Sequence, residues 1–189
     1  MRGEESMKVL YVASEAVPFA KSGGLGDVAG ALPAALRKKL VGVRVVLPLY
    51  QEIRQDLKDQ LTFLKEMWVP LSWRSQYCGI FEAKVNGVTY YLLDNQYYFG
   101  RRGFYGHFDD AERFAFFSKA ALELLQHIDF EPDVINCNDW QTGLLPFYLN
   151  KFYRNINDCY QHVQVVYTIH NIQYQGIFSR DVVENVLGL

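Results

Sequence analysis

Lys21, Ser22, Gly23 and Gly24 follow a short apolar run, "KVLYVASE", and lead into a segment with helical periodicity. A lysine and a glycine pair at such a junction suit the binding of an anion. Backbone N–H groups at a helix start lack intrahelical partners, and the helix dipole favours negative charge there. Lys21 adds a mobile positive charge, and Asp27, in the first turn, either caps backbone amides or accepts hydroxyls from a ligand. A tight strand-to-helix turn with a surface lysine explains the same residues without any ligand. The spacing of Gly24, Gly26 and Gly30 is not G-x-G-x-x-G, and there is no G-x-x-x-x-G-K-[ST]. Neither a dinucleotide fingerprint nor a P-loop is present.

Two further polar groups follow apolar runs: Asp139 in "INCNDWQTGLLP", and His170 with Asn171 in "VVYTIHN". Asp139 sits between a strand and a helix, where an N-cap explains it as well as chemistry does. His170 also reads as a strand-end histidine bonded to a backbone carbonyl, and Trp140 as core. A His/Asp pair invites a Ser-His-Asp or a metal reading. No G-x-S-x-G elbow supports the first. No H-x-x-x-H spacing or carboxylate cluster supports the second, so no metal and no cofactor are expected. Ligands of open α/β sheets bind beyond the carboxyl ends of parallel strands. If these strands are parallel, all three polar groups share one rim.

The elements that must position them read as a doubly wound α/β fold. "KVLYVAS" and "VRVVLP" are continuous apolar strands of the kind buried on both faces. Between them "LGDVAGALPAALRKKL" places Leu25, Val28, Leu32, Leu36 and Leu40 near one helix face, with a kink or break at Pro33. The middle, "LTFLKEMWVPL", "QYCGIFEAKVNG" and "VTYYLLDN", reads as antiparallel strands, one of which can rejoin the main sheet, with a hairpin at Asn86-Gly87. "NQYYFGRRGFYGHFDD" is an aperiodic loop rich in glycine and aromatics. "DAERFAFFSKAALELLQHI" is an amphipathic helix capped by Asp109 or Asp110. The β-α-β pattern then returns as "DVINCN", "QTGLLPFYLNKFY" and "VQVVYTIH", and a helix starts at Ser179.

Composition bounds the function. Half of the 189 residues are hydrophobic and the net charge is −2, with no basic excess, so a nucleic-acid footprint is not indicated. Cys78, Cys137 and Cys159 are odd in number and far apart, against a disulfide framework or zinc site and in favour of a reducing compartment. No apolar segment approaches the roughly 15–20 residues of a signal or membrane span. A soluble, cytoplasmic protein is expected, with its first six residues an unstructured extension.

Taken together, "KVLYVASEAVPFAKSGGLGDVAGALPAAL", "RVVLPLY", "INCNDWQTGLLP" and "VVYTIHNIQYQGIF" resemble the N-terminal half of bacterial glycogen synthases and plant starch synthases, from about Met7 onward. Here Lys-Ser-Gly-Gly-Leu stands where that family usually has Lys-Thr-Gly-Gly-Leu, and "LRKKLVGVRVV" lacks its polar Gly-His-Asp turn. The resemblance implies retaining transfer of glucose from ADP-glucose to the non-reducing end of an α-1,4-glucan. It also implies a GT-B enzyme of two Rossmann-like domains with the site in the cleft between them. Residues 7–189 would be the acceptor-side domain. The partners would be ADP-glucose, the glucan and a C-terminal domain of the same chain, with no nucleic acid or membrane.

Residue by residue, the resemblance makes Lys21 and the amides of Gly23 and Gly24 the loop that approaches the diphosphate and the acceptor side. Asp27 is a carboxylate on that loop. Asp139 lies near the reacting centre, and His170 contacts the donor glucose with Asn171 beside it. Glu15 would touch acceptor hydroxyls, and the aromatic loop from Tyr97 to Phe108 either stacks on sugar rings or is held by its own side chains. The family's second domain supplies the basic residues for the diphosphate and a glutamate near the sugar, so this chain would be half of an active site, inactive alone. Two other readings fit: another sugar-nucleotide transferase of the same architecture, or a non-catalytic glucan-binding module.

Overall fold

The computed structural model describes residues 7–188; the expected N-terminal extension lies outside them. Five apolar runs form parallel strands, joined by crossovers long enough to return the chain to the same end of the sheet; all are largely buried except the last in sequence, which is mostly exposed. They are β1 (Lys8–Val12), β2 (Gly42–Pro48), β5 (Val88–Asp94), β6 (Val134–Asn138) and β7 (Gln164–Thr168). β3 (Thr62–Leu71) and β4 (Arg74–Val85) pair antiparallel with each other, and β4 pairs antiparallel with β5. The seven-stranded sheet has the order β3-β4-β5-β2-β1-β6-β7. The hairpin between β4 and β5 turns on Asn86 and Gly87, at φ 50° and 76°. Two successive positive φ values are what a two-residue hairpin matched to strand twist requires.

Helix α1 (Gly24–Lys38) links β1 to β2. Pro33 does not break it; the helix runs through, and the proline is part of its buried face with Leu25, Gly26 and Ala29. That face differs from the leucine stripe read from the sequence. Val28 and Leu32 are about 40 % exposed, and Leu40 lies beyond the helix, 82 % exposed. Small residues win the inward face because the helix approaches backbone closely there. A Cβ on Gly30 would lie 2.9 Å from both the Cβ and the carbonyl oxygen of Val17.

Two short helices, α2 (Gln55–Lys58) and α3 (Gln96–Phe99), precede α4 (Asp110–Glu123). α4 is not amphipathic in the expected sense: from Phe114 to Leu122 every residue is buried. Neither Asp109 nor Asp110 caps it through its side chain, because each carboxylate is engaged by an arginine, Arg101 and Arg113 respectively. The segment after β6 is a 3₁₀ turn (Trp140–Thr142), α5 (Leu144–Tyr148) and a π turn (Leu149–Tyr153) in place of one helix. A last short helix, α6 (Asp158–Gln161), precedes β7, and a π turn (Val183–Leu187) stands where a helix from Ser179 was expected.

The three cysteines are free, and no helix among the described residues is long and apolar enough to cross a membrane. The close approach at Gly30 yields a stability test. Gly30→Val should lower the unfolding free energy by about 1–3 kcal/mol in urea denaturation, since the new side chain must displace the Val17 backbone.

Candidate active site

β1 lies between β2 and β6; the chain leaves it in one direction and later crosses back to the other side. The crevice outside the carboxyl ends of β1 and β6 is therefore the topological switch point, where open α/β sheets bind ligands. The loop carrying Glu15 to Gly24, the Asp139 turn after β6 and His170–Asn171 after β7 all leave from that rim. A separate hollow of about 870 Å³, lined by Lys8, Arg37 and Arg44, lies at the opposite, amino ends of the strands, where none of these groups reaches.

Asp139 and His170 are brought together. Asp139 has φ 57° and ψ −180°, a conformation nearly reserved for glycine that costs of order 1–3 kcal/mol in other residues. Its surroundings hold it there. The Asp139 N–H donates to Thr168 O at 2.9 Å, and its Oδ1 accepts the backbone N–H groups of His170 at 2.6 Å and Asn171 at 3.4 Å. The carboxylate therefore fastens the end of β7 and does not cap the 3₁₀ turn beside it.

His170 bonds through Nε2 to Asn138 Oδ1 at 2.8 Å, a side-chain amide and not a backbone carbonyl. The Asn138 Nδ2 donates to Val12 O at 3.0 Å and Asn136 O at 3.1 Å, which fixes its oxygen toward the imidazole. Nε2 must then carry the proton, leaving Nδ1 as the ring's other hydrogen-bonding atom. Asn138 is fully buried and has a structural role that the sequence pattern did not reveal. Beside the pair, the Tyr11 hydroxyl is pushed up to about 12, first by burial and then by the Asp139 charge.

The glycine loop is built around Glu15, which is 3 % exposed. Its carboxylate accepts the Ser22 N–H, the Ser22 hydroxyl at 2.7 Å, the Gly23 N–H at 3.2 Å and the Tyr105 hydroxyl at 2.6 Å. Glu15 was expected to meet sugar hydroxyls; the structure turns it inward and commits both oxygens to loop and tyrosine. Lys21 remains exposed and pairs with Asp27 at 2.7 Å, an exposed ion pair worth about 0–1 kcal/mol. No hydrogen bond joins Lys21 to Asp139 or His170 among the described residues.

Gly23 and Gly24 are exposed, and a Cβ on either would meet nothing within 4 Å. Gly23 is extended at φ −148°, a conformation open to any residue. Neither packing nor backbone geometry within this chain calls for glycine there. The space over both glycines is open. Asn171 is exposed, its Oδ1 accepting the Gln173 N–H at 3.0 Å.

Against this geometry, a family profile described as the starch synthase catalytic domain matches residues 8–189. The chain belongs to the starch synthase catalytic domain family. It is 53 % identical over 182 residues to a glycogen synthase of Clostridium botulinum (strain Eklund 17B / Type B), covering 96 % of this chain and 38 % of that protein. It is 52 % identical over 183 residues to a glycogen synthase of Bacillus anthracis, covering 97 % of this chain and 38 % of that one. Among solved structures, the catalytic domain of starch synthase IV from Arabidopsis thaliana, bound to ADP and acarbose, superposes with a TM-score of 0.88 at 32 % identity, covering 97 % of this chain and 38 % of that one. The fold is thus that of one α/β unit of this family's catalytic domain. The chain spans 38 % of the length of these relatives. No group of three or more His, Cys, Asp or Glu among the described residues is placed to hold a metal.

The Asp139 turn gives a prediction on stability. Asp139→Ala should destabilise by about 1–3 kcal/mol, because two backbone amides lose their acceptor. Asp139→Gly should recover about 1 kcal/mol of that loss, because glycine takes the positive φ freely. Chemical denaturation of the two variants checks the order.

Proposed function

We propose that this chain forms the acceptor-side half of the active site of a glycogen or starch synthase, which transfers glucose from ADP-glucose to the non-reducing end of an α-1,4-glucan with retention. The observation that carries the reading is the pair of glycines with open space above them, at the helix start on the switch-point rim that also carries the Asp139–His170 clasp. The Arabidopsis family member solved with ADP and acarbose supports a nucleotide and a saccharide as ligands.

Breaking the anomeric C–O bond of ADP-glucose builds negative charge on the diphosphate and positive charge on the sugar ring. Fixed N–H donors and cations lower the energy of the first. The Gly23 N–H is taken by Glu15, so the free donors at the start of α1 and the Lys21 ammonium supply this side. Orientation of the acceptor hydroxyl against the anomeric carbon lowers the barrier further. His170, fixed by Asn138, and Asn171, fixed by the Asp139 turn, are the groups we assign to gripping sugar hydroxyls. Asp139 itself acts by setting their backbone, with its charge close to the reacting sugar. Residues 7–189 would be the first domain. The nucleotide-binding domain would come from the remaining polypeptide that the longer relatives possess. Exposed apolar residues on and after β7, including Val166, Ile169, Ile172 and Tyr174, fit a surface against which further chain packs. Three unpaired thiols suit a cytoplasmic setting.

Glucose transfer from radiolabelled ADP-glucose to glycogen tests the reading, in the full-length protein and in residues 1–189 alone. The full-length protein should be active with ADP-glucose ahead of UDP-glucose, and the short chain should show no turnover. In the full-length protein, Lys21→Ala and His170→Ala should each lower kcat about 10²–10³-fold. Gly23→Ala should lower kcat/KM at least about tenfold while leaving the unfolding free energy within about 0.5 kcal/mol. Comparable rates from the short chain, or wild-type rates in all three variants, would overturn the proposal. Glucan binding without transfer would support a binding module instead.

A further inference from the structure

The loop between α3 and α4 is fixed from both ends by two arginines. Arg101 makes a bidentate pair with Asp109, at 2.6 and 2.8 Å, and donates from Nε to Tyr97 O. Arg113 is fully buried. Its Nε donates to Tyr98 O at 2.7 Å, and its Nη1 donates to Phe104 O at 3.1 Å and to Asp110 Oδ1. Asp110 Oδ2 in turn accepts the Gly106 N–H at 2.7 Å. The rings of Phe99 and Phe114 lie 5.4 Å from the Arg113 guanidinium. A buried guanidinium that meets two carbonyls and a carboxylate holds these groups in one geometry.

Tyr105 reaches from this loop to the glycine loop and is bonded at its tip. Tyr105 donates its hydroxyl proton to Glu15 at 2.6 Å, and the Ser14 hydroxyl, 2.7 Å away, donates to the same tyrosine oxygen. Glu15 then holds Ser22 and Gly23. A carboxylate accepts only, so the direction of every bond in this chain is set.

We infer that Tyr105, anchored by Arg113, is a positioning residue for the glycine loop and acts through Glu15. The rigid aromatic loop is a post, Glu15 is the clasp, and the placement of the α1 start and of Lys21 depends on both. Sugar stacking by Tyr105 is not part of this role, since its hydroxyl and ring are committed inward. The kinetic consequence rests on the proposed transferase reading; the structural one does not.

The test uses the full-length protein and two measurements. Hydrogen exchange on peptides covering residues 20–24 should quicken at least about tenfold in Tyr105→Phe and in Glu15→Gln, and peptides from β6 should not change. This is the release of amides bonded to a charged acceptor. In steady-state kinetics with ADP-glucose, each variant should lose about tenfold or more in kcat/KM. The double variant should be no worse than the poorer single one, as for two members of one unit. Arg113→Lys should reproduce the exchange change, since a single ammonium cannot stand at the separate positions from which the guanidinium Nε and Nη1 reach Tyr98 O, Phe104 O and Asp110, whereas Ser14→Ala should have a smaller effect. Unchanged exchange at residues 20–24, or losses that multiply in the double variant, would overturn the inference. A wild-type protein that transfers no glucose would defeat the proposed function and leave the exchange result to decide the clasp.

Discussion

One buried amide joins the ends of three strands. Asn138 lies at the carboxyl end of β6, where the hydrogen-bond ladder stops and peptide groups would otherwise be left unpaired inside the protein. Its Nδ2 serves carbonyls of β1 and β6, and its Oδ1 receives the imidazole that follows β7. A buried amide with both ends engaged cannot be flipped without turning its oxygen onto the Val12 and Asn136 carbonyl oxygens, acceptor against acceptor, so its orientation is fixed by the register of the sheet. The tautomer of His170 follows from that orientation. The position of Asp139 follows as well, because the backbone turn directly after Asn138 places the carboxylate beneath the His170 and Asn171 amides. Sheet register thus reaches the crevice through two consecutive side chains.

The two loops over the rim use charge in the same way. Glu15, Asp139 and Asp110 all turn their carboxylates to accept backbone N–H groups, and Arg101 and Arg113 turn their guanidinium groups to donate to backbone carbonyls. Charged hydrogen bonds are roughly twice as strong as neutral ones. A crevice must present irregular backbone in a set conformation, and such bonds do this without regular secondary structure. Lys21, Asp27, Asn171 and the two glycines are among the residues left exposed.

Much of this was legible in the sequence. The alternation of apolar runs with helical segments, the Asn86-Gly87 hairpin and the polar residues at strand ends specified a mostly parallel sheet with an antiparallel insertion, because each depends on local backbone preference or on burial of a whole strand. The inward face of α1 was misread because leucine content marks burial only where there is room; Gly26 lies against Lys21 and Ala20 and Gly30 against Val17, so small residues stand where the helix meets that loop. The caps of α4 were misread because aspartate before a helix is equally a partner for arginine, and which one wins depends on residues three to eight positions away. Asn138 and Tyr105 escaped notice for a related reason. Their partners lie 32 and 90 positions distant, and nothing in local spacing announces a bond of that range.

Electrostatics explains why the proposed chemistry needs more than this half. On the described rim Lys21 is matched by Asp27, while Glu15 and Asp139 add two carboxylates. The partial positive charge of the α1 start, about half an elementary charge, offsets only part of that. The nucleoside diphosphate we propose as ligand would therefore meet little unopposed positive charge from Lys21 and the α1 start. A leaving diphosphate gains negative charge as the glycosidic bond breaks, so cations must approach from across the crevice for the transition state to be bound more tightly than the ground state. The same balance makes sense on the acceptor side. The neutral glucan we propose as acceptor would have no need of net charge, only of donors and acceptors held still, and His170 and Asn171 are held in that way by Asn138 and Asp139.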